Sequence, residues 1–283
     1  MTAAEAAPRR PAFRPPPGAC DAHVHIWGPY ARFPLSPRAP YRPPERTAAD
    51  LAALHERLGI DRAVIVQTTV YGADNRAMLE AIAGSGGRWR GVALVDENTT
   101  DADLRALHEG GVRGVRFGFL RHLGGVPDLS LLRRTAERIG PMGWHLVLHM
   151  DAPALLAFED LLWSLPCPAV IDHMGRVPAE QGLDQPAFRL LLRLVKEGGF
   201  WVKISGADRI SAAGPPFRDA IPFARALIEA APERVIWGSD WPHPNVRWHP
   251  DEADLLDLLP ACADAATLRR VLVDNPARLY GFA

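Results

Sequence analysis

Residues 19–25 read ACDAHVH, a short apolar run that ends on His23 and His25, and seven further segments follow the same plan. They are RAVIVQT (62–68), GVALV (91–95), VRGVRF (112–117), WHLVLH (144–149), PAVID (168–172), FWVKI (200–204) and RVIWG (234–238). Each is rich in Val or Ile and too short for a helix, so each reads as a buried strand. Longer amphipathic or Ala/Leu-rich stretches separate them, at Ala48–Leu58, Asp101–Glu109, Leu129–Ile139, Ala154–Leu162, Ala187–Glu197 and Pro222–Ala230. Strand and helix patterns alternate, the order expected of βα units. Eight such units predict an α/β fold, a (β/α)8 TIM barrel in a single domain. An open doubly wound sheet would usually have fewer strands and a Gly-rich phosphate loop after the first. Here residues 26–45 (IWGPYARFPLSPRAPYRPPE) follow instead, crowded with prolines that suit an irregular cover over the barrel mouth.

The 283 residues fit one barrel, which commonly needs about 250. The barrel is assigned to 19–283 and a flexible, proline-rich arm to 1–18, with the tail from Pro244 closing the barrel through NPARLYGF. A formal net charge of −1, without a basic stripe, argues against a nucleic-acid partner. No apolar run reaches the ~18 residues of a membrane span. Three cysteines without metal spacing, and no signal-peptide pattern at the N-terminus, point to the cytoplasm.

In a barrel of this kind chemistry gathers at the C-terminal strand ends. The polar residues there are His23 and His25 (strand one), Gln67, Thr68 and Thr69 (two), Arg116 (four), His149 (five), Asp172, His173 and Arg176 (six), Ser205 and Arg209 (seven), and Ser239, Asp240 and His243 (eight). The i, i+2 spacing of His23 and His25 puts both on one face of a strand, where they can converge on a metal ion or a substrate oxygen. Alone, that pair is equally a packing feature. Its combination with His149, His173, Arg176 and Asp240, each at its own strand end, favours a site. Asp240 has a second reading as a helix N-cap, and any single arginine has one as a surface ion pair. His55 and His108 fall in helical patterns and read as solvated. Trp27 and Trp241 flank the proposed site as walls, and Lys203 on strand seven is expected to point at the barrel core or at a helix.

The segments PPPGACDAHVHIWGP, VIVQTTVYGADN, LHEGGVRGVRFGFL, GWHLVLHMDA, VIDHMGR, AGPPF, RVIWGSDWPHPN and NPARLY, in that order, resemble the amidohydrolase-2 branch of the amidohydrolase superfamily, and within it the 2-pyrone-4,6-dicarboxylate hydrolases. The resemblance runs from about Pro15 to Tyr280. It implies a lactonase in which Asp240 takes a proton from the attacking water while His23, His25 and His173 polarise the lactone carbonyl. It also implies that Arg116, Arg176 and Arg209 grip substrate carboxylates, with Tyr41 and Thr69 adding hydrogen bonds. The expected partner is a small anionic cyclic ester, turned over by a monomer or a homo-oligomer.

Two residues depart from that pattern. His122, beside Arg121, stands where such enzymes can carry a further arginine, and His149 stands where they can carry tyrosine. The dicarboxylate hydrolases imply no required cofactor. With His149 present, however, His23, His25, His149, His173 and Asp240 form a set that could hold one Zn²⁺ or Mn²⁺. A binuclear centre is not expected, because Arg116 occupies the strand-four position of the bridging ligand. The competing functions are a mononuclear-metal enzyme acting on a sugar lactone or muconolactone, a decarboxylase, and a barrel that binds a carboxylated ligand without turnover.

Overall fold

A computed structural model describes residues 9–283. The strands are β1 (Cys20–Val24), β2 (Arg62–Val66), β3 (Trp89–Ala93), β4 (Val112–Gly118), β5 (His145–His149), β6 (Ala169–Ile171), β7 (Trp201–Lys203) and β8 (Val235–Ile236). All neighbours pair in parallel, in sequence order. The ring closes through Ala22 N donating to Trp237 O at 2.9 Å and Asp240 N donating to His23 O at 2.8 Å. This is the predicted barrel, and the β1–β8 seam that closes it carries three of the proposed site residues.

Helices pack around the sheet: α1 (Ala48–Leu58), α2 (Arg76–Gly84), α3 (Asp101–Glu109), α4 (Leu129–Ile139), α5 (Ala152–Ala157), α6 (Glu159–Trp163), α7 (Pro186–Lys196), α8 (Ala207–Ile210), α9 (Ile221–Ala230), α10 (Glu252–Asp257), α11 (Ala265–Arg269) and α12 (Asn275–Tyr280). Three coincide with the spans expected from periodicity, and each of these begins at a residue whose side chain caps it. Thr47 and Thr100 form capping boxes with Asp50 and Asp103, and Asp128 accepts from Ser130 N and Leu131 N. The single helix expected over 154–162 is instead two, broken at Phe158, whose ring packs on Phe119 with centroids 5.1 Å apart.

Two apolar layers result. Cys20, Ala22, Val64, Val66, Val92, Val147, Val170, Trp201 and Ile236 fill the barrel interior, with Tyr280 of α12 as a plug, while the larger cluster joins the strands' outer faces to the helices. The tail therefore packs against the barrel as NPARLYGF predicts, Tyr280 lying 5.0 Å from the ring of His145. Of the proposed arm, residues 1–8 lie outside the described residues; beyond them, Arg9 pairs with Asp254 and Asp257, and Phe13 N donates to Asp257. No helix among the described residues is long and apolar enough to cross a membrane.

Two expectations need correction. His55 is buried, not solvated: its Nε2 lies 3.4 Å from Asp21 Oδ2, and Asp21 also accepts from Ser239 N at 2.9 Å across the closing seam. His108 is half-buried and accepts the indole N–H of Trp144 at 2.8 Å. In both cases a polar partner distant in sequence overrides the helical pattern.

Gly238 makes the seam possible. A Cβ there would lie 2.6 Å from the backbone N and the Cβ of His23, closer than packed atoms approach. Gly238→Ala is therefore expected to force β1 and β8 apart, lowering stability by about 1–3 kcal/mol in a denaturant titration. Activity should fall further than that loss explains, because His23 moves with β1.

Candidate active site

At the C-terminal end of the barrel, His25, Tyr41, Thr68, Thr69, Arg116, His122, Leu123, His149, His173, Arg176, Arg209, Asp240, Pro244 and Asn245 line one cleft. All five proposed substrate-binding residues are here, with three of the four proposed catalytic ones. The fourth, His23, lies beneath the floor and is fully buried. The proline-rich segment after β1 supplies Tyr41, held by a small cluster of its own around Trp27, Phe33, Val70 and Tyr71. Burial pushes the Tyr41 phenol up to about 12, so it is a neutral hydroxyl facing the cleft.

Asp240 is the focus of the floor. Its Oδ1 lies 3.3 Å from His25 Nε2 and 3.6 Å from His23 Nε2, and its Oδ2 lies 3.9 Å from His173 Nε2. Arg209 closes the other side, with Nε donating to Oδ2 at 2.5 Å and Nη2 on the same oxygen. Burial alone would raise the Asp240 pKa; Arg209 and the three histidines outweigh it and hold the carboxyl well below its usual range. The helix N-cap reading of Asp240 fails, since a turn and not a helix follows it.

His23, His149 and His173 are neutral donors and acceptors, not cations. Burial, then the charge of Lys203, pushes His23 down to about 3. His149 and His173 are held well below the ordinary histidine value, burial again being the largest cause. His25 donates through Nδ1 to Val66 O at 2.7 Å and stacks beside Trp27, while His173 Nδ1 contacts Ser205 Oγ at 2.9 Å.

Below this floor lies an ion cluster that sequence reading did not assemble. Asp172, fully buried, accepts from Arg116 Nε at 3.0 Å through Oδ2, and its Oδ1 is 3.2 Å from Lys203 Nζ. Lys203 Nζ also lies at hydrogen-bond distance from His23 Nδ1, 3.1 Å away. Burial pushes the Asp172 carboxyl up, but Lys203, His23 and Arg116 together hold it well below its usual range. Lys203 thus points at the barrel core, as one of its two expected directions. Arg116 serves Asp172 at the same time as it lines the cleft, so it is not a free clamp.

The rim is cationic. Arg176 lines the cleft half-buried, its pKa lowered to about 10 by burial and by neighbouring Arg209. His122, exposed at the edge, is lowered by burial and by Arg176 and Arg209. Among the described residues, two sets of donors lie close enough to share an ion: His23 with His25 and Asp240, and His23 with Asp172 and His173. His149, expected as a fifth ligand, belongs to neither set, and its Nε2 is buried without a partner. Thr68, Leu123, Pro244 and Asn245 complete the lining without a sequence signal beyond their nearness to strand ends.

The family model described as Amidohydrolase matches residues 20–282. The chain belongs to the amidohydrolase family. Over 284 residues this amidohydrolase is 44% identical to a 2-pyrone-4,6-dicarboxylate hydrolase of Comamonas testosteroni, an alignment covering 96% of this chain and 93% of that one. It is 42% identical to a 4-sulfomuconolactone hydrolase of Rhizobium radiobacter, covering 95% and 92%. Among solved structures it resembles a probable 2-pyrone-4,6-dicarboxylic acid hydrolase of Acinetobacter baumannii with citric acid bound, at a TM-score of 0.82 and 28% identity, covering 94% and 100%. Both curated relatives are named as hydrolases of anionic lactones, in agreement with the resemblance seen in the motifs.

Removing the Asp172 carboxylate would leave Arg116 and Lys203 buried without their counter-charge. Asp172→Asn is expected to cost about 3–5 kcal/mol, measured by urea unfolding at neutral pH. Because the folded-state pKa of Asp172 is depressed, its contribution is present above the unfolded carboxylate value and is lost as pH falls through the folded one. The difference between wild type and variant should therefore shrink in acid.

Proposed function

We propose that this amidohydrolase hydrolyses a carboxylated lactone, 2-pyrone-4,6-dicarboxylate or an anionic muconolactone, with water activated by Asp240. One observation carries the reading: a buried carboxylate faces three histidines at the floor of a cleft rimmed by arginines. Arg116, Arg176 and Arg209 line the cleft and present guanidinium donors suited to the carboxylates of a polyanionic ligand. The names of the curated relatives and the citric acid in the similar structure agree with that demand.

In the proposed reaction Asp240 orients water and takes its proton as the oxygen bonds to the lactone carbonyl carbon. His23, His25 and His173 serve the carbonyl oxygen as negative charge develops. The ring C–O bond then breaks, and the proton held by Asp240 passes to the departing oxygen. Arg176 and Arg209 hold the substrate carboxylates as planar forks, with Tyr41, Thr69 and His122 around them. A base held as low as Asp240 is weak, and Arg209 is the largest of the opposing causes. A substrate carboxylate that draws Arg209 toward itself weakens that hold and raises the basicity of Asp240 when the water is in place.

A divalent ion suits this donor set poorly. The Lys203 ammonium crowds His23 Nδ1 at 3.1 Å, Arg209 occupies one oxygen of Asp240, and His149 stands outside both candidate sets. The proposed reaction therefore needs no cofactor. A D-galactarolactone isomerase is a less similar relative, at 34% identity, so the sugar-lactone reading is not favoured over this one, nor is the decarboxylase reading; a cleft built only to bind anions has no need of a buried carboxylate at its floor.

Loss of pyrone absorbance with chelator-treated protein and 2-pyrone-4,6-dicarboxylate tests the substrate and the metal together. Hydrolysis at the untreated rate is expected; activity that vanishes on chelation and returns with Zn²⁺ overturns the metal-free reading. Asp240→Asn should lower kcat by at least ~10²-fold at little changed KM. The acid limb of kcat/KM, which reports the free enzyme, should lie at lower pH than the acid limb of kcat, because Asp240 regains basicity only once Arg209 is shared with substrate. Coincident limbs would remove the coupling between Arg209 and Asp240.

A further inference from the structure

We infer that Lys203 fixes the tautomer of His23, making it a proton donor toward the reacting oxygen instead of a lone-pair ligand. The inference rests on the lactone reading only for the identity of that oxygen. Lys203 is fully buried inside the barrel, one of only two lysines in the chain, and does not line the cleft. Its Nζ lies 3.1 Å from His23 Nδ1 and 3.2 Å from Asp172 Oδ1. An ammonium has donors and no acceptor, so Nδ1 must accept. A neutral imidazole then carries its single proton on Nε2, the atom turned toward Asp240 Oδ1 at 3.6 Å.

Asp172 is the rival for the same nitrogen. Its Oδ1 lies 3.2 Å from His23 Nδ1 and, by accepting a proton there, would free Nε2 as a lone pair, the arrangement that prepares histidine to bind metal. Geometry favours Lys203: its contact with Nδ1 has hydrogen-bond alignment, whereas Asp172 Oδ1 has no aligned partner among the described residues. Packing alone does not explain a lysine here. Enclosing an ammonium carries a large desolvation cost, and methionine would fill the same space without it. Lys203 is thus a positioning residue, acting on the reaction through His23.

The test is the ¹⁵N spectrum of the full chain labelled at histidine, with the His23 signals assigned by their loss in His23→Asn. In wild type, Nε2 is expected to be protonated and Nδ1 an acceptor. In Lys203→Met the proton should move toward Nδ1 and Asp172. Zinc affinity, measured by competition with a chromophoric chelator, should rise roughly tenfold. Metal-free kcat on the lactone should fall by about 10²-fold with KM little changed. A protonated Nδ1 in wild type overturns the inference, and this measurement stands even where the variant does not fold. An unchanged tautomer and zinc affinity in a folded Lys203→Met protein overturn it as well. If both shift while wild type opens no lactone, the role of Lys203 stands and the substrate reading falls.

Discussion

Everything above the middle of this barrel depends on the Asp172 carboxylate, clamped between Arg116 and Lys203 with no access to water. A barrel interior has to be filled, and its lower layers are filled here by Val, Ala and Ile. The upper layer is filled by charge. A single carboxylate between two cations in a medium of low polarity is held by strong fields from both sides, and its loss would leave both cations unpaired. The same contacts fix where His23 sits and how its ring is turned, and His23 in turn lies under Asp240. The floor of the cleft is therefore supported by ions on strands β4 and β7 and at the end of β6, not by the loops at the rim.

Much of this was legible in the sequence because it is local. Eight Val/Ile runs announce eight strands, and the capped helices α1, α3 and α4 have the spans their spacing predicts. The residues at the strand ends, His25, Arg116, His149, His173, Arg176, Arg209 and Asp240, meet in one cleft as a barrel requires. What was not legible depends on which atoms meet across the barrel. Asp172 appeared among the strand-end polar residues without a partner, and Lys203 appeared as an isolated lysine. They come within 3.2 Å because β6 and β7 pair with Ile171 beside Val202, which sets Asp172 beside Lys203, a register that neither segment shows alone. His55 was misread for the same reason, since its partner Asp21 belongs to the strand that closes the seam. The pattern of β1 conceals a further step: Cys20 and Ala22 face the barrel interior, yet so does His23, because the β1–β2 register shifts between Asp21 and Val24. Simple alternation along the strand would have turned one set away.

The site is also where the backbone gives up comfort. His173, Arg176 and Asp240 all have positive φ, at 52°, 46° and 66°, without being glycine. Each such residue costs about 1–3 kcal/mol, sustained only where the surroundings determine the conformation. Gly238 and Gly206 allow it: a Cβ on either would collide with His23 or His173. Strands that approach this closely bring imidazoles from β1 and from the turn after β6 to within 4.6 Å of each other, a spacing regular strand packing would not provide.

The resting state of Asp240 carries a consequence for selectivity. An ionised carboxylate bound to a buried guanidinium is stable and weakly basic, so the free protein holds its proposed catalyst in reserve. A ligand without carboxylates could enter the cleft and contact the histidines, but it would have nothing to offer Arg209. A ligand with carboxylates competes for that guanidinium with the same chemistry Asp240 uses. Its binding energy is then spent partly on loosening the Arg209 contact, where it raises reactivity instead of affinity. In the proposed mechanism, charge on the substrate thus serves twice, in recognition at the rim and in restoring the base at the floor, and the arginine cluster is part of the catalytic device as well as its entrance.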